Sequence, residues 1–172
     1  MRSITDYSRL GALMLLAFFL SGCASQIYSE KGTISTVILI RHADRDVGQT
    51  DLNAKGKSRA KALVSALSHL TIDAIYSPAK KRNIDTVRPL SHAHNIEISV
   101  IDTSGVASRI VEENSGKTTL WVGNTSNLDH IFARFGGTEE GPNIYGDLYI
   151  LTLSDSKLEK VEKRRFGGSG SL

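Results

Sequence analysis

Cysteine is all but missing: the 172-residue chain has one, Cys23. No intrachain disulfide can form, even in an oxidising compartment. No apolar run is long enough to cross a bilayer as a helix. The stretch Leu10 to Leu20 falls well short of the ~20 residues needed. Strong net charge is lacking too, since 21 basic residues stand against 18 acidic ones. Despite a pI near 9.0, this balance carries no strong nucleic-acid footprint. The acidic residues form no evident ligand cluster and no nucleotide motif is present, so neither metal nor cofactor is implied.

What is present is an ordinary globular composition, 40% hydrophobic and 23% charged. At its centre lies Thr36-Val37-Ile38-Leu39-Ile40-Arg41-His42-Ala43-Asp44. Four consecutive large aliphatics read as a strand buried on both faces, in the middle of a parallel sheet. It runs directly into a cation and an imidazole. Ligands of open α/β sheets bind at the carboxyl ends of central strands, so Arg41-His42 suggests a phosphate-like anion site. The plainer alternative is a strand whose polar end simply meets solvent.

Periodicity lays out the rest. Asn53 is an N-cap for a helix whose face is Ala60, Leu63, Val64, Leu67 and Leu70. Strands are expected at 72–77, 96–101 and 118–122, and helices at 79–93, 104–114 and 126–135. Pro89 is expected to kink or shorten its helix. Segments 148–153 and 158–165 read as a hairpin that supplies antiparallel edge strands. The alternation predicts a three-layer α/β/α domain with a mostly parallel central sheet, over residues 36–166. Residues 167–172 read as a flexible tail.

Arg2 and Arg9 precede the apolar run, which ends in Leu20-Ser21-Gly22-Cys23. This arrangement resembles the leader and lipobox of a bacterial lipoprotein. The resemblance implies removal of residues 1–22, acylation of Cys23, a tether over 23–35 and attachment to a membrane. Loss of the leader leaves a net charge of +2. Ala24 after the cysteine implies, in a Gram-negative cell, the outer membrane facing the periplasm. The alternatives are an ordinary secretory signal or a buried helix carrying a core thiol.

A second strand end, Tyr76-Ser77-Pro78, runs into Ala79-Lys80-Lys81-Arg82-Asn83-Ile84-Asp85-Thr86. Arg82 falls in the first turn of a helix, where free N–H groups and the dipole also favour an anion. Lys80 and Lys81 read as solvated surface lysines. Taken together, four motifs resemble the histidine phosphatase superfamily, the phosphoglycerate-mutase-like proteins. Arg41-His42-Ala43 is similar to its Arg-His-Gly signature. Leu52-Asn53-x-x-Gly56 is similar to its helix start, and Ser77 to Thr86 to its arginine motif. Leu120-Trp121-Val122-Gly123 is similar to the strand before its second catalytic histidine. The resemblance implies His42 as nucleophile, forming a phosphohistidine that water cleaves. It implies Arg41 and Arg82 as the phosphate clamp, supported by Thr86, with a phosphorylated substrate as partner.

One position departs from the pattern. Where the family has its second histidine, this chain has Asn124, which cannot carry charge or titrate. Two readings stay open: a slow phosphomonoesterase, or a membrane-anchored module that binds phosphate or another protein without turnover. His130 should point away from Asn124, and His69, His92 and His94 read as solvated. For the leaving-group acid, Asp102 after the third strand is the positional candidate, although such residues are usually turn residues. Asp44 and Asp46 are alternatives. The chain also lacks the long insertions that cap larger relatives, so an open site is expected.

Overall fold

The computed structural model describes residues 31–168. The expected leader, the Cys23 anchor and the tether as far as residue 30 lie outside these residues. Six strands form one sheet in the order β3-β2-β4-β1-β5-β6. The strands are β1 (Ile34–Arg41), β2 (Ala74–Ser77), β3 (Ile98–Val100), β4 (Thr118–Gly123), β5 (Asp147–Ser154) and β6 (Lys157–Arg165). The helices are α1 (Ala54–Ala66), α2 (Lys81–His94), α3 (Val106–Glu113) and α4 (Thr125–Arg134).

β1 explains the rest. It lies between β4, to which it runs parallel, and β5, to which it is antiparallel. Val37, Ile38, Leu39 and Ile40 are each at most 1% exposed, because both faces of the strand are covered. Alternation sends Val37 and Leu39 to the side of α3 and α4, where Ile110, Leu128, Ile131 and Phe132 pack with them. Ile38 and Ile40 face Leu63, Leu67, Val87 and Leu90 of the α1/α2 side. Each such side chain contributes roughly 2 kcal/mol of burial. The result is the expected three-layer α/β domain with a mostly parallel sheet.

The differences from the sequence reading are local. β1 begins at Ile34, within the expected tether, because Ile34 and Ser35 pair with Ser154 and Leu153 of β5. α1 stops at Ala66 rather than Leu70, yet Leu67 remains fully buried just beyond it. α2 continues through Pro89 to His94 and ends on Asn95 at φ 53°. Of the hairpin strands only β6 is an edge, since β5 sits inside against β1.

The order of strands opens the site. After β1 the chain leaves through α1 on one face of the sheet, and after β4 it leaves through α4 on the other. Adjacent parallel strands whose connections diverge leave a crevice at their carboxyl ends. Arg41 pairs with Gly123 at that point.

Candidate active site

Each side of the crevice is fixed by hydrogen bonds the sequence dictates. The His42 N–H donates to the Gly123 carbonyl at 3.0 Å, extending the β1/β4 ladder by one residue. The Ala43 N–H donates to Thr86 Oγ1 at 2.8 Å, and that hydroxyl donates to the Arg82 carbonyl at 2.7 Å. Thr86 thus ties the histidine loop to the helix turn bearing Arg82. Asn83 Nδ2 donates to the carbonyls of Val122 and Gly123 at 3.0 and 3.1 Å, which seats the same turn on β4. Gly56 lets α1 reach this loop: a Cβ there would lie 2.0 Å from the Asp44 carbonyl oxygen. Asn53 caps α1 as expected, its Oδ1 accepting from the Gly56 N–H at 2.9 Å.

His42 is 2% exposed. Its Nδ1 lies 2.9 Å from the Ala43 carbonyl, which can only accept, so Nδ1 carries the proton. Nε2 is therefore the lone-pair nitrogen, and no described residue bonds to it. Burial lowers the imidazole pKa to about 4; the bond to Ala43 opposes this, while Arg82, Arg41 and Arg45 push it further down. At neutral pH the ring is an uncharged, fixed nucleophile.

Three arginines surround it. Arg41 Nη1 donates to the Asn143 carbonyl at 2.6 Å, and its guanidinium lies 4.0 Å over the Tyr145 ring. Arg82 Nη2 donates to Asn124 Oδ1 at 3.1 Å. Arg45 Nη1 donates to the carbonyl of Gln49 at 2.9 Å. Burial, with Arg45 beside it, lowers the Arg82 pKa; Tyr145 opposes that and Arg41 adds to it. Asn124 is 6% exposed, at the N-cap of α4, with its own N–H donating to Asn127 Oδ1 at 3.0 Å. Arg41 Nε, Arg82 Nε and Asn124 Nδ2 are buried donors without a partner. A phosphoryl group offers the acceptor oxygens such donors lack.

The structure brings Arg41, His42, Arg82, Thr86 and Asn124 to one place. Asp102 is not among them. It is exposed after β3, and it makes no hydrogen bond to the site residues. β3 is the far edge strand, three strand spacings from β1, or roughly 14 Å. Asp44 is engaged elsewhere: Arg59 Nε donates to its Oδ2 at 2.5 Å, and Lys55 lies 3.5 Å from Oδ1. Burial raises the Asp44 pKa, but the bond to Arg59 and the charges of Arg59 and Lys55 bring it below the ordinary carboxylate value. Asp46 accepts from Asn53 Nδ2 at 2.9 Å in an exposed loop. Lys81 is exposed, with Asp85 at 2.7 Å and Asp51 at 3.1 Å, as expected of a surface lysine. His130 is exposed on α4. Cys23 lies outside the described residues.

Sequence reasoning missed Tyr145, Arg45 and Asn83. Tyr145 stands with its ring centroid 5.6 Å from that of His42, tilted by 54°. Its loop, residues 135–146, is short, so the absence of long insertions gave no sign that an aromatic covers the nucleophile.

Comparison with known proteins bears on both fold and site. Residues 37–106 match the model of the histidine phosphatase superfamily, branch 1. The phosphoserine phosphatase 1 of Hydrogenobacter thermophilus is 34% identical over 96 residues, which are 51% of this chain and 41% of that protein. The matched chain thus spans less than half of that relative. YhfR of Bacillus stearothermophilus superimposes with a TM-score of 0.60 at 18% identity, covering 80% of this chain and 98% of that one. The protein histidine phosphatase SixA complexed with tungstate gives 0.60 at 15% identity, over 73% and 95% of the two chains. A phosphoglycerate mutase from Bacillus anthracis gives 0.59 at 13% identity, over 77% and 93%. At these identities the solved structures speak for the fold. The segment that carries Arg41, His42, Arg82 and Thr86 is the one that matches the histidine phosphatase superfamily model, and it sits on a fold shared with a phosphoglycerate mutase.

Proposed function

We propose that this protein hydrolyses phosphomonoesters through a phosphohistidine on His42, and that it does so slowly. The observation that carries the reading is the state of His42: neutral, with Nδ1–H held by the Ala43 carbonyl and Nε2 free, among three arginines. Arg41 and Arg82 bind the non-bridging oxygens, and Nε2 attacks phosphorus in line with the departing oxygen. Phosphatase relatives, including phosphoserine phosphatase 1, support the same reading. The tungstate in the SixA complex, an oxyanion shaped like phosphate, fits an anion site of this kind. Slowness follows from Asn124, which offers the transferring group a neutral amide donor where a protonated imidazole would offer a charged one. The domain works in the cell envelope, carried by a lipid anchor on Cys23.

Acid-stable quenching is unsuitable for a phosphohistidine, so the test is alkaline trapping. Wild-type protein mixed with an aryl phosphate should carry phosphate on His42, and His42→Ala should carry none. Wild type with neither label nor hydrolysis would defeat the phosphatase reading.

A second reading has one observation in its favour. Asn124 Oδ1 already accepts from Arg82 Nη2 at 3.1 Å, so the clamp is braced in a resting geometry suited to holding phosphate. On that reading the module binds phosphate or a phosphorylated partner without turnover. Inorganic phosphate would then raise the melting temperature while no label reached His42.

A further inference from the structure

Resting on the phosphatase reading, we propose that Tyr145 is the proton donor to the leaving oxygen. The reaction needs such a group when the departing oxygen is an alkoxide, and no carboxylate of the site is available. Asp102 is exposed at the far edge of the sheet, Asp46 caps a surface loop through Asn53, and Asp44 is clasped by Arg59. The arginines hold their protons too tightly to give them up. The Thr86 hydroxyl already gives its proton to the Arg82 carbonyl, whereas Tyr145, against His42, carries an O–H that no described residue engages.

Its placement is built, not incidental. Before it, Asp129 Oδ1 accepts from the Gly141 N–H at 2.7 Å and from Asn143 Nδ2 at 2.8 Å, anchoring the loop to α4. The Asn143 carbonyl then receives Arg41. After it, Gly146 packs so closely that a Cβ would lie 2.2 Å from Arg59 Nη1, and Arg165 Nη2 donates to the Tyr145 carbonyl at 3.2 Å. The ring thus lies under the Arg41 guanidinium through its face and meets the His42 ring in a tilted contact. The hydroxyl has no hydrogen-bond partner among the described residues, and the ring is half-buried.

His42 Nε2 forms a bond to phosphorus as the P–O bond to the leaving group breaks. The electron pair goes to the leaving oxygen, and the Tyr145 proton goes with it. The phenolate left behind is stabilised by the Arg41 guanidinium, 4.0 Å from its ring centroid. Water then attacks phosphorus, returns a proton to Tyr145 Oη and breaks the N–P bond, restoring both residues.

Tyr145→Phe tests this, because it keeps the ring on Arg41 and against His42 and removes only the hydroxyl. For an alkyl phosphate such as β-glycerol phosphate, kcat/KM should fall about 10²-fold, the usual worth of a general acid. For p-nitrophenyl phosphate, whose leaving group departs without a proton, it should change less than about threefold. Across a series of aryl phosphates the dependence on leaving-group pKa should steepen in the variant. Equal losses on both substrates would assign Tyr145 to positioning Arg41 and overturn the inference; so would no loss on either. Wild type that turns over neither substrate and leaves His42 unlabelled would overturn the phosphatase reading, and this inference with it.

Discussion

Replacing Asn124 with histidine should accelerate the reaction, by an amount set by what surrounds the side chain. A preorganised donor to the transferring phosphoryl group is worth roughly 3–4 kcal/mol, or 10²–10³ in rate. Two local terms oppose the full gain. Asn124 Oδ1 accepts from Arg82 Nη2 at 3.1 Å; a protonated imidazole cannot accept, and that bond is worth about 1 kcal/mol. The new cation would also stand beside Arg82. At ~4 Å and an effective dielectric of ~20 the repulsion is about 4 kcal/mol, so the introduced ring stays neutral in the empty site. A phosphate dianion reverses the sign of that term, and the proton is taken up with the substrate. Asn124→His should therefore raise kcat/KM for an aryl phosphate by at least about tenfold, or ~1.4 kcal/mol.

The assay is steady-state hydrolysis together with single-turnover labelling of His42, with phosphate-induced shifts in melting temperature as the check on binding. A variant that is folded, still stabilised by phosphate, and no faster than wild type would refute the reasoning. It would mean that the charge missing at Asn124 is not what limits turnover.

The pH dependence should follow the nucleophile. With the His42 pKa lowered to about 4, the acid limb of kcat/KM should lie near 4 rather than near 6.5, and Asn124→His should add a falling limb on the alkaline side. Folding is linked to the same group: the unfolded chain takes up a proton near 6.5 and the folded one near 4. Stability is therefore lost as pH falls through that window, and urea titrations of His42→Gln should show a shallower loss than wild type. Gly56→Ala should cost about 1–3 kcal/mol and lower activity, since its Cβ would meet the Asp44 carbonyl oxygen at 2.0 Å. Arg59→Met leaves the buried Asp44 with only the exposed Lys55 at 3.5 Å and should destabilise by up to about 3–5 kcal/mol in chemical denaturation. Adding Asp44→Asn to Arg59→Met should recover part of that loss.

The sheet and half of the site were legible because short-range patterns dictate them. A run such as Val37 to Ile40 is buried on both faces wherever it occurs, so its place at the centre of the sheet could be read directly. Arg82 and Thr86 lie one helical turn apart, and Asn53 and Gly56 form one cap; spacing alone sets their geometry. Asp102 failed because strand-end logic cannot say which strand end adjoins the site. That depends on the order β3-β2-β4-β1, a long-range pairing that no local pattern encodes. Tyr145 was invisible for the same reason. It reaches His42 only because Asp129, on the preceding helix, fastens the loop, and because Arg41 receives its ring.

Unpaired buried donors alone would not have found the site either. Trp121 Nε1 and Thr119 Oγ1 are also buried without partners, in the body of β4 where nothing else is arranged for a ligand. What separates the crevice is concentration: the Nε atoms of Arg41, Arg45 and Arg82 and the Nδ2 of Asn124 are all orphaned around one neutral imidazole. Each such donor costs on the order of 1–3 kcal/mol when left unmade. Collecting four such donors in one place, against the two orphaned acceptors Asn83 Oδ1 and Asn143 Oδ1, is a cost the fold recovers with an anion carrying several acceptors. The same arithmetic makes Asn124 informative. It preserves the donor and gives up the charge, so the site keeps its geometry for phosphate while the transition state, which needs the charge more than the ground state does, loses the larger share.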